Sequence, residues 1–386
     1  IQFDVTYYDI RNKNQILSTS LPIESGASGK LINAGLIESR GWEVGLNFDI
    51  IKTRDLKFDM SLNFSRNRTI LTSLAEGMTN YSWGEFQKIY VKTYEGGTIG
   101  DLYMQPLLKV TDTASPYYGY PLLTADGKYQ ADSDVNHHVK VGNSNPDFTL
   151  GFQPSISYKA FTLYANIDWS QGGDYFSITR VFFNNNGWSD DSFSGASYDK
   201  NQDIVTQIKA NPNAFFGQWV GGRNAEYGGF AWPAGKGSGR VQDASFNVGV
   251  RQVVVNGTKQ YVENLGGSDT YWLDPFNANQ TANRNTGPDK FLYDATYVKL
   301  RELALTYRLP KRWNEKFKIH SSSISVFANN VFEWTAVKTD IDPERAFKPN
   351  NAGTNGGNIG SWTQGIEYYN AMPWTRTIGM KLNLDF

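Results

Sequence analysis

Residues able to do chemistry are scarce in this chain. Among its 386 residues there are 3 His and no Cys. Thiol nucleophiles, disulfides and thiolate metal sites are therefore excluded, and imidazole chemistry has few candidates. His137 and His138 are adjacent. On an extended chain neighbours point to opposite sides, so the pair does not share a metal and reads as part of a loop. Carboxylates gather twice, at Asp126, Asp132 and Asp134 and at Asp340-Ile341-Asp342-Pro343-Glu344. Calcium takes such oxygens, but neither group follows the EF-hand pattern, and solvated turns are the better reading. Gly235-Lys236-Gly237-Ser238-Gly239 has the look of a phosphate loop. Its preceding Gly229 lies one residue too far away, and Gly237 stands where Ser or Thr should follow the Lys, so a flexible loop is the better reading. No Ser-His-Asp arrangement or carboxylate pair stands out. The expectation is a protein that is not an enzyme, with no metal and no cofactor.

Binding chemistry has better candidates. Trp188, Trp219, Trp232 and Trp272 stand among Gly, Asn and Asp in one long segment. Tryptophan rings stack on the C–H faces of sugars while polar neighbours take the hydroxyls. The plainer alternative is that these rings pack the loops against one another. We take the four as candidate substrate-binding residues.

The elements that must position them are strands. Trp, Tyr and Phe make up 15% of the chain, with 37 Gly and 34 Asn, a mixture that suits strands and long polar loops. Trp42, Val44, Leu46, Phe48 and Ile50 alternate with Glu43, Gly45, Asn47 and Asp49. After the short turn Thr53-Arg54-Asp55, Leu56, Phe58, Met60, Leu62 and Phe64 alternate with Lys57, Asp59, Ser61, Asn63 and Ser65. A second hairpin turns at Lys159-Ala160, and Thr377 to Phe386 alternates in the same way. Weaker candidates are 2–10, 98–110, 174–183, 294–309 and 321–335, about ten strands in all. Val253 to Thr258 reads as half of a small hairpin with an Asn256-Gly257 turn, and a short helix is expected over 199–211. Long connections cover about 66–97, 111–146, 184–293 and 336–374.

Alternation alone fits two folds, a transmembrane barrel with its apolar face in lipid or a soluble sandwich. Three details favour the barrel. Full charges sit on the polar faces, as a wet lumen permits. Aromatics (Trp42, Phe64, Trp169, Phe386) end the apolar faces, as interfacial girdles do. Short turns alternate with very long loops. The chain opens on Ile1-Gln2-Phe3-Asp4-Val5, already a strand with no Met or leader, so either something was removed upstream or this is a piece of a longer polypeptide. A net charge of −1 carries no global basic bias towards nucleic acid.

Four segments resemble a known family. Ile32-Asn33-Ala34-Gly35 with Ser39-Arg40-Gly41-Trp42-Glu43 resembles a strand entry of TonB-dependent receptors, with Ser39 where Asn is usual. Val141-Gly142-Asn143-Ser144-Asn145-Pro146-Asp147-Phe148 resembles a segment of the SusC/RagA-type transporters of Bacteroidetes. So do Tyr297-Val298-Lys299-Leu300-Arg301-Glu302-Leu303 with Tyr307-Arg308-Leu309-Pro310, and Asn330-Val331-Phe332-Glu333-Trp334-Thr335 leading to Asp342-Pro343-Glu344. In the last, the spacing is one residue longer than usual and a Gly is replaced. The terminal run through Leu382, Leu384 and Phe386 resembles the assembly signal of outer-membrane proteins.

The resemblance implies an all-β fold: the C-terminal half of a 22-stranded antiparallel transmembrane barrel, with its N-terminal plug domain outside residues 1–386. It implies TonB-dependent import of a large nutrient, foremost an oligosaccharide and otherwise a peptide, across the outer membrane of a Gram-negative bacterium. Implied partners are a SusD-like surface lipoprotein, TonB with ExbB and ExbD, the N-terminal half of the barrel, outer-membrane lipid and the ligand, with no nucleic acid. Glu43, Asn47, Asp59 and Asn63 would face the lumen or the plug. A soluble glycan-binding sandwich and an outer-membrane enzyme are the alternatives.

Overall fold

The computed structural model describes residues 1–20, 24, 26, 29–33, 35–86, 89–124, 130–185, 250–263, 291–347, 364–367 and 375–386. Its largest element is an antiparallel sheet of eight strands in strict chain order. We number only these: β1 (Gln2–Lys13), β2 (Leu36–Lys52), β3 (Leu56–Ser73), β4 (Phe148–Tyr158), β5 (Phe161–Gln171), β6 (Tyr297–Arg308), β7 (Ser321–Thr335) and β8 (Thr377–Asp385). Each pairs only with its chain neighbours, so the sheet is an up-and-down meander.

Period-two alternation becomes two continuous faces because the register keeps like opposite like. Val5, Val44, Phe64, Leu150, Trp169, Val298 and Trp334 are successive partners across seven strands. Leu56, Tyr158, Phe161, Tyr307, Ile324 and Leu382 form a second apolar row further along. The row Asp4, Gly45, Asn63, Gly151, Asp168, Lys299 and Glu333 lies between neighbouring apolar rows and belongs to the opposite, polar face. The apolar face is uncovered: Phe3 is 72% exposed, Trp334 49% and Met380 73%. Trp169 and Phe161 share that face eight residues apart, roughly 27 Å at a strand's rise per residue. That matches the ~25 Å apolar band of an outer-membrane barrel.

Connections alternate in length. Residues 53–55, 159–160 and 309–320 close one end of the sheet, and the long connections all leave the other end. Glycine matters at two crowded points of the polar face. A Cβ at Gly41 would stand 2.3 Å from the Tyr8 ring, and one at Gly379 would stand 2.4 Å from the Phe327 ring. Each aromatic ring fills the space left by a missing side chain.

The long connections fold into a lobe with its own core. Strands Asn80–Phe86, Ile89–Tyr94, Asp101–Met104 and Val139–Asn143 form one sheet, and Asp174–Ser177, Leu292–Asp294 and Ile366–Glu367 form another. Ile89, Val91, Leu102, Met104, Phe176, Phe291 and Leu292 pack between them, fully buried or nearly so. The hairpin Val250–Val255 and Thr258–Glu263 turns at Asn256-Gly257, both with positive φ, as a two-residue hairpin turn demands.

Several expectations change. The sheet has eight strands among the described residues, not about ten. Segments 98–110 and 174–183 are not in it: the first supplies Asp101–Met104 to the lobe, and the second is a short strand followed by the helix Ile178–Asn185. The long connection expected from residue 66 begins after Ser73, because β3 runs eight residues past Ser65. The helix expected over 199–211 lies outside the described residues.

Candidate functional site

The polar face carries a cavity of about 620 Å³. Asp4, Thr6, Glu43, Asn63, Ser65, Thr149 and Asp168 line it from β1 to β5, and Tyr297, Arg301 and Glu344 close one side. Glu43 and Asn63 thus occupy the side expected of them. Asn47 and Asp59 share that face, opposite Ser61 and Asp49.

The closing side is an ion network. Lys299 is 1% exposed. Its Nζ donates to Asp342 and, at 3.0 Å, to Glu344, with Glu333 at 3.3 Å and the Tyr297 ring centroid at 4.6 Å. Arg301 donates at 2.8 Å to Asp168 and at 2.8 Å to Glu344. Lys299 and Arg301 share a face by alternation, and a bulge lies at the second of them. Leu300 pairs with Ile167 and Glu302 with Asn166, so Arg301 is the extra residue of β6. A bulge re-aims the side chains beside it, and Lys299 and Arg301 reach the same carboxylate. Burial pushes the Glu344 carboxyl up, but Arg301 and Lys299 outweigh it and hold the group at about 2. The segment they hold is also packed: Ile341 and Ala346 bury against Tyr175 and Ala295, and Tyr175 shares a hydroxyl hydrogen bond of 2.8 Å with Thr339. Asp342 and Glu344 are therefore not a solvated turn. Their cations lie over 40 residues earlier in the chain, beyond the reach of local pattern reading.

Asp132 and Asp134 behave differently. His137 Nδ1 lies 2.7 Å from Asp132 and Nε2 lies 3.7 Å from Asp134, on the surface of the lobe. The hydrogen bond to Asp132 raises the His137 pKa, and the Asp134 amide and His137 lower that of Asp132. Asp134 also caps the short turn Val135–His137. His138 is buried with its ring 4.1 Å from Tyr90, so the two histidines face different surroundings. Among the described residues no group of three or more His, Cys, Asp or Glu could hold a metal.

Asn143 and Asn145 form a junction. The Asn143 amide donates to Asp174 at 2.9 Å, the Asn145 amide donates to Asn143 at 2.7 Å, and the Asn145 side chain donates to the Ile99 carbonyl. This segment thereby ties the lobe to the start of β4. Leu382 and Leu384 sit exposed along β8, and Phe386 is exposed just after it. Trp188, Trp219, Trp232 and Trp272, with Asp126 and Gly235 to Gly239, lie outside the described residues.

No family model matches the chain. The TonB-dependent receptor P3 of Formosa agariphila is 24% identical over 405 residues, covering 100% of this chain and 32% of that protein. The chain matches TonB-dependent receptors from end to end. The receptor P26 of the same organism is 20% identical over 404 residues, covering 99% of this chain and 32% of its own length. The RagAB peptide importer in its closed-closed state superimposes with a TM-score of 0.53 at 17% identity, covering 100% of this chain and 33% of that one. Its open-open state gives 0.52 at 16% identity, with 100% and 32% covered. The chain therefore spans about a third of the relatives it matches, not the half expected, and its fold is that of part of a TonB-dependent transporter. Similarity to such receptors places the chain in the outer membrane of a Gram-negative bacterium.

Proposed function

We propose that this chain forms part of the wall and outer loops of a barrel that imports a large polar nutrient by TonB-dependent transport. The continuous apolar face across the eight-stranded sheet, backed by a charged polar face, carries this reading. Among the described residues β1 and β8 each have one unpaired edge. Lipid does not tolerate such edges, so strands outside residues 1–386 would close the barrel, and a plug would occupy its lumen. The exposed Leu382 and Leu384 of β8, with Phe386 just after it, are the proposed assembly signal. A SusD-like lipoprotein covering the lobe and energy from TonB, ExbB and ExbD complete the proposal.

Two cargo classes have separate support. Trp188, Trp219, Trp232 and Trp272 favour an oligosaccharide, by stacking. Similarity to RagAB, a peptide importer, favours a peptide, and a cavity lined by Asp4, Glu43, Asp168 and Arg301 suits one with charged groups. Deleting the gene for the full-length protein and growing the strain on panels of oligosaccharides and peptides tests this. Loss of growth on one class, restored by the wild-type gene, is expected. Normal growth on every member, or a protein soluble without detergent, would overturn it.

A further inference from the structure

The end of the sheet closed by short connections is strongly basic. Its three connections and their flanking residues carry Lys52, Arg54, Lys57, Lys159, Arg308, Lys311, Arg312, Lys316 and Lys318. Asp55, Glu315 and Asp385, which pairs with Ser321 at the end of β8, oppose these nine cations, leaving a local charge of +6 on a chain whose net charge is −1. All nine residues are exposed, and among the described residues none is ion-paired to an acid.

The third connection holds its charges in a defined place. Helix α1 (Lys311–Phe317) docks through Asn314, which is buried and accepts a hydrogen bond from Ser322 of β7. The connection is pinned again where the Leu309 amide donates to the Ser322 carbonyl at 2.9 Å. With Asn314 turned inward, Arg312 and Lys316 stand on the opposite side of the helix; Lys311 and Lys318 are exposed at its two ends, and Trp313 is 54% exposed beside them. The apolar row of Tyr158, Phe161 and Tyr307 ends just short of these charges, and the Lys159 ammonium lies 5.3 Å from the Tyr158 ring centroid.

We propose that this end of the sheet binds the anionic headgroups of the membrane leaflet it meets, with α1 as the main contact. An exposed Trp at the foot of a lipid-facing wall sits where the indole gains most, half in hydrocarbon and half among headgroups. Lys and Arg beside it extend past the apolar band and place their charges at phosphate level. Each cation near an anionic surface adds to the attraction, which decays within a Debye length, so a cluster on one rim acts together. The other end gives a contrast: there Arg40 is paired with Asp9 at 3.1 Å and with Glu38 at 3.1 Å.

The inference rests on the barrel reading for its membrane, and the test separates the two. The full-length protein is reconstituted into vesicles of phosphatidylcholine with one fifth phosphatidylglycerol, and the lipid that co-purifies with it is measured by mass spectrometry. A several-fold enrichment of phosphatidylglycerol over the bulk is expected. It should fall to the bulk ratio in a variant carrying Lys311→Gln, Arg312→Gln, Lys316→Gln and Lys318→Gln. The variant keeps Asn314 and Trp313, and heat-modifiable gel mobility checks that it folds. If it does not fold, Lys316→Gln with Lys318→Gln takes its place and should lose part of the enrichment. Failure of the wild type to insert into vesicles of any composition would overturn the barrel reading itself. Insertion with no enrichment, or enrichment unchanged in a folded variant, would overturn the lipid site alone. Salt-sensitive capture by isolated peptidoglycan in place of lipid would also overturn it.

Discussion

The sheet and the lobe use the same apolar residue types with opposite outcomes. In the lobe, Ile89, Val91 and Leu102 are completely buried, as in any water-soluble core. In the sheet, Phe3, Ile378 and Met380 are among the most exposed large apolar side chains of the described residues. Burial is measured against the surrounding solvent. One region hides its apolar surface behind protein, and the other turns it outwards and keeps its charges on the opposite face. Such a sheet is unstable in water and natural in lipid. The contrast teaches that the surroundings, not the residue types, decide which face is outside.

The charged face gives the largest expected effect. Lys299→Met removes the cation that Glu333 and Asp342 share and leaves Glu344 with Arg301 alone. A loss of about 3–5 kcal/mol is expected, read as faster hydrogen exchange at residues 339–347 in the folded barrel. Unchanged exchange would mean that the network does not hold this segment. Phe176→Ala in the lobe core should cost about 3–5 kcal/mol of lobe stability, followed by limited proteolysis with the sheet left intact. Equal loss in both regions would show that they do not behave as separate bodies.

On the apolar face, Leu46→Lys should cost about 2–4 kcal/mol in a bilayer, as lipid-facing cations do near the midplane. Asn47→Lys, one residue on but facing the polar side, should be nearly neutral. Denaturant unfolding in vesicles compares them, and equal costs would erase the distinction between faces. The smallest effect concerns pH. Glu344 has its carboxyl depressed from the ordinary 4.5 to about 2. Its stabilisation is therefore complete above pH 4.5 and fades as pH falls towards 2. Protection of 339–347 should persist at pH 5 and weaken below pH 4. In Glu344→Gln that acid-dependent step should disappear, and its survival there would point to another group.

Much of this was legible in the sequence, for a physical reason. Period-two patterning is local, and it foretells β2, β3, β4, β5 and β8 closely because every residue of a lipid-facing strand must choose a side. The polar placement of Glu43 and Asn63 follows from the same pattern. The lobe was not legible: Ile89–Tyr94 and Asp101–Met104 are short and buried on both faces, so they do not alternate. The ion network was hidden by distance, although Lys299, Arg301, Glu333, Asp342 and Glu344 all stand in the segments that carried the family resemblance. Their contacts give those segments a physical basis, since they meet one another in space.

The most direct test uses the absence of cysteine from residues 1–386, with any cysteine elsewhere in the full-length protein replaced by Ser. Single cysteines placed at successive positions from Val44 to Asp49 of β2 in the full-length protein, embedded in outer membranes, are exposed to a charged maleimide and to a lipid-soluble one. Positions 45, 47 and 49 should react with the charged reagent, and positions 44, 46 and 48 only with the lipid-soluble one. Equal reaction at all six, or charged labelling of the apolar set, would contradict a membrane-spanning wall.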